Sequence, residues 1–343
     1  MPSFPTALPA PRTPDPMDAP ALRWGVLGTG WIAERFVDSV RRHTRQRFTG
    51  VASRDAGRAQ TFADRHGVPR AHGSYEELVT ASDVDVVYVA TEHTAHLACA
   101  RLALEAGKHT LVEKPLALDA AQATELALLA AERGLFCAEA LWTFFLPKFD
   151  VVRQIIDSGV LGDIHTVLAE YGEHFTGGHR ILRPDLAGGP LLDLGTYPVS
   201  LATWVLGAPV EVQAFGQPHP AGVNGQISAI LRDASAHQAV VHTTLFSDTP
   251  TTATIAGTHA TLSLPGPFYQ PGDLHLTPSG GGTTLTYAEP RTAHEALHFE
   301  AADVARCIAA GRLQSPCRPL DDSVTTLRTM DTMRELCGIS FPA

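Results

Sequence analysis

Apolar runs alternate with amphipathic stretches over roughly residues 22–137. Near-continuous apolar runs, such as 84–90, are typical of parallel strands covered on both faces. The strands predicted on this basis are 22–27, 47–53, 84–90, 109–112 and 135–138. Helices are predicted between them at 32–42, 57–66, 95–106 and 119–133. Repeated strand–helix units imply right-handed crossovers, so this part is predicted to be an α/β Rossmann domain with a doubly wound parallel sheet.

The pattern changes after about Phe149. A helix near 149–158 is followed by threonine-rich segments with a period of two, which is typical of strands with one buried face. They lie at 164–174, 211–216, 227–231, 239–245, 251–256, 260–264 and 283–287. Helices are predicted at 198–206, 293–310 and 320–337. We therefore expect an α+β C-terminal domain with a large, mostly antiparallel, open-faced sheet.

These patterns divide the chain into three parts. Residues 1–20 are rich in proline and lack a basic start followed by an apolar core, so we expect a disordered tail and no secretory signal; Met17 is a possible start. Residues 21–140 form the predicted dinucleotide-binding domain. Residues 141–343 form the predicted substrate-binding and dimerisation domain, whose C-terminal helices could pack back on the first domain.

Composition narrows the function. The 343 residues carry a net charge of −10, which argues against nucleic acid and anionic membrane surfaces as partners. The five cysteines are odd in number and widely spaced, which favours buried, reduced thiols in a cytoplasmic protein. No apolar run reaches the length of a membrane span.

The turn after the first strand reads Gly28-Thr29-Gly30-Trp31-Ile32-Ala33. Gly28 would allow the bend, Gly30 would let backbone approach a pyrophosphate, and Ala33 would let helix and strand pack closely. The helix N-terminus would then present N–H groups to the phosphates. A plain turn between strand and helix also favours glycine. The position of this motif, after a strand and before a helix, favours the dinucleotide interpretation.

The end of the second strand bears on the choice of cofactor. NAD-binding domains place an acidic residue there for the ribose diol, whereas this strand ends in Ser53-Arg54, with Arg58 one helical turn on. Serine and arginine suit a 2′-phosphate, so NADP is favoured over NAD. Arg54 could instead be a solvated surface charge, and Asp55 keeps NAD possible.

Two further motifs carry candidate chemistry. Lys114 follows Glu113 at the carboxyl end of a predicted strand, where ligands bind in open parallel sheets, and precedes Pro115, whose peptide bond could be cis. Asp193 and Tyr197 are four residues apart and would share a face if both lay in the first turns of one helix. A phenol near an ammonium group is a plausible proton donor or acceptor. Alternatively these are a surface lysine, a carboxylate at a helix N-terminus and a packing tyrosine.

Several histidines and one arginine have open interpretations. His294-Glu-Ala-Leu-His298 matches a zinc-hydrolase motif, but no third ligand follows, so structural histidines are favoured. His93 and His96 follow the third predicted strand, where they would line the cofactor cleft with Glu92. The residues that precede the Asp193–Tyr197 motif could contact substrate or lie on the surface: His174, His179 and Arg183.

The combination of motifs resembles the Gfo/Idh/MocA oxidoreductase family. The segments that carry the likeness are Gly28-Thr-Gly30, Glu113-Lys114-Pro115, Gly188-Gly189 to Asp193 and Tyr197, and Gly311 to Pro316 with Met330-Asp331 and Arg334. Tyrosine at 197, where many members have histidine, resembles the branch of dimeric dihydrodiol dehydrogenases and aldose (xylose, glucose) dehydrogenases. Ala140-Leu-Trp142-Thr is closest to the dihydrodiol dehydrogenases, although Phe144 stands where that branch has arginine. Loss of that guanidinium predicts a more apolar pocket.

The resemblance implies an NAD(P)-dependent oxidoreductase that acts on a cyclic polyol, an aldopyranose or a trans-dihydrodiol, without a metal. Lys114 would orient the substrate oxygen, Tyr197 would exchange the hydroxyl proton, and Asp193 would hold hydroxyl groups and Lys114. A non-catalytic, cofactor-binding sensor is the alternative, and a homodimer through the open sheet face is expected. The predicted cofactor site comprises Gly28, Thr29, Gly30, Trp31, Ile32, Ser53, Arg54, Arg58, Thr91, His93, His96, Glu113 and Lys114. The candidate substrate residues are Trp142, Phe144, His174, His179 and Arg183.

Overall fold

The computed structural model describes residues 4–341, which form two compact units. Residues 14–145 and 293–324 form the first unit. The second unit contains residues 146–292 together with residues 4–13 and 325–341. The segment 293–324 thus belongs with the predicted dinucleotide-binding residues rather than with the rest of the C-terminal half.

The first unit is built on a six-stranded parallel sheet. Its strands are β1 (Arg23–Leu27), β2 (Arg47–Ala52), β3 (Ala71–His72), β4 (Val86–Val89), β5 (His109–Glu113) and β6 (Cys137–Ala140). Their order is β3-β2-β1-β4-β5-β6, with every pairing parallel. The predicted doubly wound Rossmann sheet is confirmed. The order reverses between β1 and β4, and such a switch point creates a ligand-binding crevice at the carboxyl ends of the strands.

Helices connect these strands, and local sequence sets most of their ends. They are α1 (Trp31–His43), α2 (Ala56–His66), α3 (Tyr75–Val79), α4 (His96–Glu105) and α5 (Ala120–Arg133). Asp55 and Asp119 cap α2 and α5 by accepting hydrogen bonds from backbone N–H groups. Gly134 ends α5 in the left-handed conformation that favours glycine. By contrast, α1 begins at Trp31, and its N-cap residue, Gly30, provides no side-chain cap.

The second unit is built on an eight-stranded sheet. It begins with α6 (Pro147–Asp157) and β7 (Ile164–Gly172), followed by two helical segments, α7 (Pro190–Asp193) and α8 (Thr196–Leu206). The remaining strands are β8 (Glu211–Pro218), β9 (Asn224–Arg232), β10 (Gln238–Thr244), β11 (Ala253–Gly257), β12 (Ala260–Leu264), β13 (Leu274–Pro278) and β14 (Leu285–Tyr287). Their order is β14-β13-β12-β11-β7-β10-β9-β8, and only β7 and β10 pair in parallel. The predicted mostly antiparallel sheet is confirmed.

Two helices close the chain, α9 (His298–Ala309) and α10 (Leu320–Leu336). The predicted continuous helix over 293–310 is wrong at its start, because residues Ala293–Leu297 form a 3₁₀ turn. Ala293 has a φ of 47°, outside the right-handed helical region, so the α-helix begins only at His298.

The N-terminal segment differs from the expected disordered tail. Pro16–Asp18 form a 3₁₀ turn whose cap, Asp15, accepts a hydrogen bond from the N–H of Met17. Ala19 is buried against alanines of α9. In the second unit, the Arg12 guanidinium lies 2.8 Å from the Asp150 carboxylate. Residues 1–3 of the predicted tail lie outside the described residues.

The five cysteines are free thiols that differ in exposure. Cys99, Cys137 and Cys307 are buried free thiols as expected, whereas Cys317 and Cys337 are free but partly exposed. Within residues 4–341, no helix combines the length and the apolar composition that a membrane crossing requires.

Candidate active site

The predicted cofactor residues come together at one edge of the first unit's sheet. They lie in four groups that follow the carboxyl ends of β1, β2, β4 and β5. These strands are neighbours in the order β2-β1-β4-β5. The four segments are distant in sequence, so the parallel topology alone assembles them at the switch point.

The turn after β1 has the shape of an anion cradle. Gly28 has a φ of +103°, and a Cβ atom there would lie 2.3 Å from the Ala90 carbonyl oxygen, so only glycine fits. At Gly30 a Cβ would meet nothing within 4 Å, which shows open space over the turn. The Oγ1 of Thr29 is buried with no hydrogen-bond partner among residues 4–341. The uncapped N-terminus of α1 faces this turn, so these residues fit a dinucleotide pyrophosphate.

At the end of β2, some side chains hydrogen-bond to nearby backbone groups, whereas one is exposed to solvent. Asp55 accepts a hydrogen bond from the Arg58 N–H at 3.1 Å as the cap of α2. Ser53 is buried, and its hydroxyl accepts from the Asp55 N–H at 3.2 Å. The Arg54 side chain is 73% exposed and contacts the Glu92 carboxylate at 3.3 Å. Arg54 is therefore the cation that an added phosphate at this edge could recruit.

His96 ties the end of β4 to the end of β5. It is fully buried, and its Nδ1 lies 2.8 Å from the Pro115 carbonyl oxygen. Its Nε2 lies 3.3 Å from the Thr91 carbonyl oxygen. His93 is also buried, with its ring centroid 5.6 Å from that of His96. His96 thus holds backbone segments together on the inner side of the predicted cleft.

Lys114 directly follows β5, in a turn with several backbone restraints. Glu113 accepts hydrogen bonds from the Tyr88 hydroxyl and, at 3.1 Å, from the Lys114 N–H. The Lys114–Pro115 peptide bond is cis, the isomer that the sequence made possible. The next N–H, that of Leu116, donates to the Glu139 carboxylate at 3.1 Å. The lysine therefore projects from a fixed backbone at the carboxyl edge of the sheet.

A second carboxyl group, Glu300 on α9, is buried near Glu113. Its residue has no solvent exposure, and neither carboxyl oxygen has a hydrogen-bond partner among the described residues. Burial, with a smaller contribution from the negative charge of Glu113, holds the pKa of Glu300 well above its usual range. No sequence pattern singles out this acid, because it lies on a helix whose pattern predicts only a packing element.

We expect Glu300→Gln to change the pH dependence of stability. The native state keeps a proton on Glu300 that the unfolded state releases above about pH 4.5, so the wild type loses stability as pH rises from there to the native pKa. The variant lacks this loss. The free energy of unfolding of the variant, relative to that of the wild type, should therefore rise by about 1.4 kcal/mol per pH unit within that window.

Urea unfolding of both proteins at pH 5 to 8 measures this gain. Glu132→Gln on α5 is the matched control, because Glu132 is exposed and should show no such trend. A constant difference between Glu300→Gln and wild type over this range would show that Glu300 is ionised in the folded protein.

The two histidines of the zinc-hydrolase motif have other roles in the first unit. The His294 ring lies 4.7 Å from the Trp31 ring and 5.3 Å from the Trp142 ring. Burial, aided by the positive charges of Arg35 and Lys114, lowers the pKa of His294 to about 4. His298 Nδ1 lies 3.1 Å from the Ser39 hydroxyl. Within residues 4–341 there is no group of three or more metal-ligating side chains.

Phe144 is accompanied by a guanidinium that the sequence analysis missed. Phe144 and Trp142 are both buried in a 3₁₀ turn of the first unit, Trp142–Phe145. The Arg318 Cζ lies 5.0 Å from the centre of the Phe144 ring. A fully buried arginine from another segment therefore contacts the Phe144 ring. The more apolar pocket expected from the loss of the branch's arginine stays a prediction.

Asp193 and Tyr197 lie on different helices, although their spacing of four residues would have allowed them to share one face of a single helix. α7 ends at Asp193 and α8 starts at Thr196, with Leu194 and Gly195 between them. A Cβ at Gly195 would lie 2.5 Å from the Leu191 carbonyl oxygen, so the chain turns too tightly there for a larger residue. Asp193 is buried and paired with Arg180 at 2.9 Å.

Tyr197 belongs to a cluster of three tyrosines in the second unit. Its ring stacks on that of Tyr269 with centroids 4.1 Å apart and planes at 27°. The Tyr269 hydroxyl donates to the Tyr171 hydroxyl at 3.0 Å, which donates to the Glu173 carboxylate at 3.1 Å. Burial raises the pKa of Tyr269 above that of a free phenol. This cluster fixes the plane of the Tyr197 ring.

The other substrate candidates of the second unit are exposed. Arg183 pairs with Asp185 at 2.5 Å, and the backbone N–H of His174 donates to Asp248 at 2.9 Å. His179 Nδ1 lies 3.3 Å from the Ile181 nitrogen. The arginine that reaches Asp193 is Arg180, which the sequence analysis missed. Nothing in the local pattern distinguishes it from Arg183.

Family models match both halves of the chain. Residues 22–140 match the Gfo/Idh/MocA oxidoreductase family model, described as an NAD-binding Rossmann fold. Residues 149–263 match the Gfo/Idh/MocA C-terminal domain. The boundary between the two matches, at residues 140–149, coincides with the change of sequence pattern near Phe149.

Individual proteins agree with these matches. The trans-1,2-dihydrobenzene-1,2-diol dehydrogenase of Bos taurus is 34% identical over 334 residues, which cover 94% of this chain and 98% of the relative. KijD10, a 3-ketoreductase from Actinomadura kijaniata solved with NADP and TDP-benzene, is 27% identical with a TM-score of 0.81, over 93% of this chain and 98% of that one. A levoglucosan dehydrogenase solved with NADH and levoglucosan has a TM-score of 0.84 at 18% identity, over 93% and 98% of the two chains, and shows the fold alone. The chain belongs to the Gfo/Idh/MocA family and is an NAD(P)-dependent dehydrogenase or reductase with a Rossmann cofactor domain.

Proposed function

We propose that this enzyme uses NADP and transfers hydride between the nicotinamide and a CH–OH or C=O carbon of a cyclic polyol, an aldopyranose or a trans-dihydrodiol. The observation that carries the proposal is the position of Lys114, at the same sheet edge as the anion cradle of Gly28–Gly30. When bound, the nicotinamide supplies or accepts the hydride, which no side chain can do. The names of the relatives support this substrate range.

Three side chains would act on the substrate. Lys114 donates a hydrogen bond to the reacting oxygen and stabilises the negative charge that develops there during reduction. Tyr197 gives a proton to that oxygen in reduction and removes it in oxidation. Asp193, held by Arg180, accepts hydrogen bonds from neighbouring substrate hydroxyls. Phe144 and Trp142 stay candidates for substrate contact, as do His174, His179 and Arg183.

A substrate panel tests the proposed reaction. Purified protein with NADP⁺ should oxidise at least one member of a set of aldopyranoses, inositols and trans-dihydrodiols, seen as growing absorbance of reduced nicotinamide. Tight cofactor binding without turnover of any member, in either direction, would favour the non-catalytic sensor instead.

The preference for NADP rests on Arg54 and Asp55. Arg54 is exposed and can turn toward a 2′-phosphate, whereas the Asp55 carboxylate is occupied as the cap of α2. A free carboxylate at this edge would repel that phosphate, and a guanidinium attracts it. Ser53 and Arg58 lie beside this position on the same turn. His96, by contrast, is proposed to support the site through backbone contacts rather than to touch the cofactor.

We expect Arg54→Ala to raise the Kd for NADPH by about tenfold or more, because a charge-assisted contact to phosphate is lost. The Kd for NADH should change by less than about twofold. Fluorescence titration of both cofactors measures the ratio. Arg70→Ala is the matched control, because Arg70 is also exposed and ion-paired, at 2.8 Å to Asp83, but precedes β3 at the opposite edge. Equal losses for both cofactors in Arg54→Ala would exclude a 2′-phosphate role.

We also propose a cytoplasmic homodimer formed through the open face of the second unit's sheet. Leu168, Val240 and Ile230 pair in register across β7, β10 and β9, and all three are more than 40% exposed. Phe215 on β8, which is 81% exposed, extends this outer face. A contiguous apolar row of this kind favours burial against a second copy of the same surface.

We expect Val240→Glu to convert the dimer to a monomer, because two buried carboxylates would face each other across a two-fold interface. Light scattering coupled to size-exclusion chromatography measures the mass. Leu128→Glu on α5 is the control, because Leu128 is 66% exposed in the other unit. A wild-type monomer, or a dimer that persists in the folded Val240→Glu protein, would overturn this assembly.

A further inference from the structure

The first unit contains a buried ionic network beside the turn that carries Lys114. Glu139 on β6 lies next to β5, with Val112 as its register partner. Its carboxylate accepts hydrogen bonds from Arg318 Nε at 3.0 Å, from the Ser323 hydroxyl at 2.6 Å and from the Leu116 N–H at 3.1 Å. The side chains of Arg318 and Glu139 are 0% and 2% exposed.

A contribution to folding stability does not explain why the Arg318–Glu139 ion pair is buried. Removing two charges from water costs several kcal/mol per ion, and apolar residues of similar size are often equally or more stabilising. Neither residue is among the groups proposed to touch cofactor or substrate. A buried ion pair of this kind is best explained by what it holds in place.

The network holds the backbone around Lys114. Leu116, two residues after the lysine, donates its N–H to the Glu139 carboxylate. The intervening Pro115 carbonyl is held by His96 at 2.8 Å, and the lysine's own N–H by Glu113 at 3.1 Å. The turn is therefore restrained at one backbone group in each of three consecutive residues, each by a different buried side chain.

Arg318 keeps the Glu139 carboxylate in a state that accepts hydrogen bonds. Its Nε bonds to one carboxylate oxygen, Oε2, while the other, Oε1, receives the Leu116 N–H. The Phe144 ring lies against the guanidinium, with Cζ 5.0 Å from its centre. Without the arginine, the Glu139 carboxylate would be a buried charge with no cationic partner and would be free to move, so its bond to the Leu116 N–H would weaken.

We infer that Arg318 is a positioning residue for Lys114, acting through the Glu139 carboxylate and the Leu116 N–H. Its kinetic consequence rests on the proposed function, whereas its structural consequence does not. A small displacement of a group that contacts the reacting oxygen lowers kcat strongly. The cofactor cradle after β1 does not involve this network, so cofactor affinity should be preserved.

The test compares Arg318→Met, Arg318→Lys and Ser323→Ala in the full-length protein. Hydrogen exchange should show faster exchange of the Leu116 amide in Arg318→Met, with the Val26 amide of β1 unchanged. In the same variant kcat should fall by about tenfold or more, with the Kd for NADPH and the KM for substrate within about twofold. Arg318→Lys restores the charge and should recover part of both losses, and Ser323→Ala should show a smaller effect.

The two readouts separate two kinds of failure. Unchanged Leu116 exchange in folded Arg318 variants would overturn the inference whatever the activity. Faster exchange with undiminished kcat would overturn the positioning role. If Arg318→Met does not fold, Arg318→Lys and Ser323→Ala decide by the same criteria. If the wild type turns over no substrate, the proposed function fails, and the exchange data still decide whether the network holds the turn.

Discussion

The Lys114→Ala enzyme is expected to lose about 10²- to 10³-fold in kcat, the usual cost of removing one donor that stabilises charge on a reacting oxygen. The Kd for NADPH should stay within about twofold, because the pyrophosphate cradle lies on the turn after β1. Lys114 would act mainly in the transition state, so KM should change less than kcat. Steady-state kinetics with cofactor titration measures all three quantities.

Lys108→Ala is the control for this variant. Lys108 immediately precedes β5, at the opposite end of the strand that Lys114 follows, and its Nζ donates to the Ala81 and Val84 carbonyls at 2.8 Å. Its removal should lower stability but leave kcat of the folded protein nearly unchanged. Comparable kcat losses in the two variants, or full activity in Lys114→Ala, would show that the reacting oxygen is not near Lys114.

Tyr197→Phe is the second variant with a large expected effect. It keeps the ring that stacks on Tyr269 and removes only the hydroxyl group. Loss of a positioned general acid–base costs about 10²- to 10⁴-fold in rate. Steady-state kinetics of the variant and the wild type with the same substrate measure this loss.

Tyr269→Phe separates the hydroxyl from the packing. It keeps the stacked ring and breaks the hydrogen bond from the Tyr269 hydroxyl to Tyr171. We expect a loss of less than about tenfold, since this hydroxyl positions rather than reacts. Equal losses in Tyr197→Phe and Tyr269→Phe would instead indicate that the cluster, and not one phenol, carries the proton. Combined with Lys114→Ala, Tyr197→Phe should add little further loss, because groups that act on one oxygen are not additive.

Sequence pattern predicted the long elements well, because their periodicity reflects burial. β1, β2, β4 and β5 bury most of their residues, and the predicted bounds differ from the observed ones by at most two residues. β3 and α3 were missed, because two and five residues carry too little periodicity to stand out. The helix predicted at 198–206 begins two residues earlier, at Thr196, and the four residues of α7 were missed because they carry too little periodicity.

The site was predictable only where it follows a motif. Gly28, Gly30 and Lys114 follow the carboxyl ends of strands. A parallel sheet brings these ends to one edge independently of the side chains they carry. Tyr269 and Arg318 make their contacts across long separations in sequence, and Arg180 reaches Asp193 from 13 residues away. No local pattern records these contacts. The guanidinium beside Phe144 shows this limit clearly, since Arg318 is 174 residues away along the chain.

Deuterium transfer from the cofactor to a substrate carbon tests the proposed hydride transfer. The protein is incubated with NADPH deuterated at C4 and a mixture of keto-sugars, aldoses and cyclic hydroxyketones, and the alcohols formed are analysed by mass spectrometry. At least one alcohol should carry deuterium on its carbinol carbon, and Lys114→Ala should form that alcohol about 10²- to 10³-fold more slowly under the same conditions. Bound NADPH with no deuterated alcohol in any wild-type reaction would contradict the proposed hydride transfer.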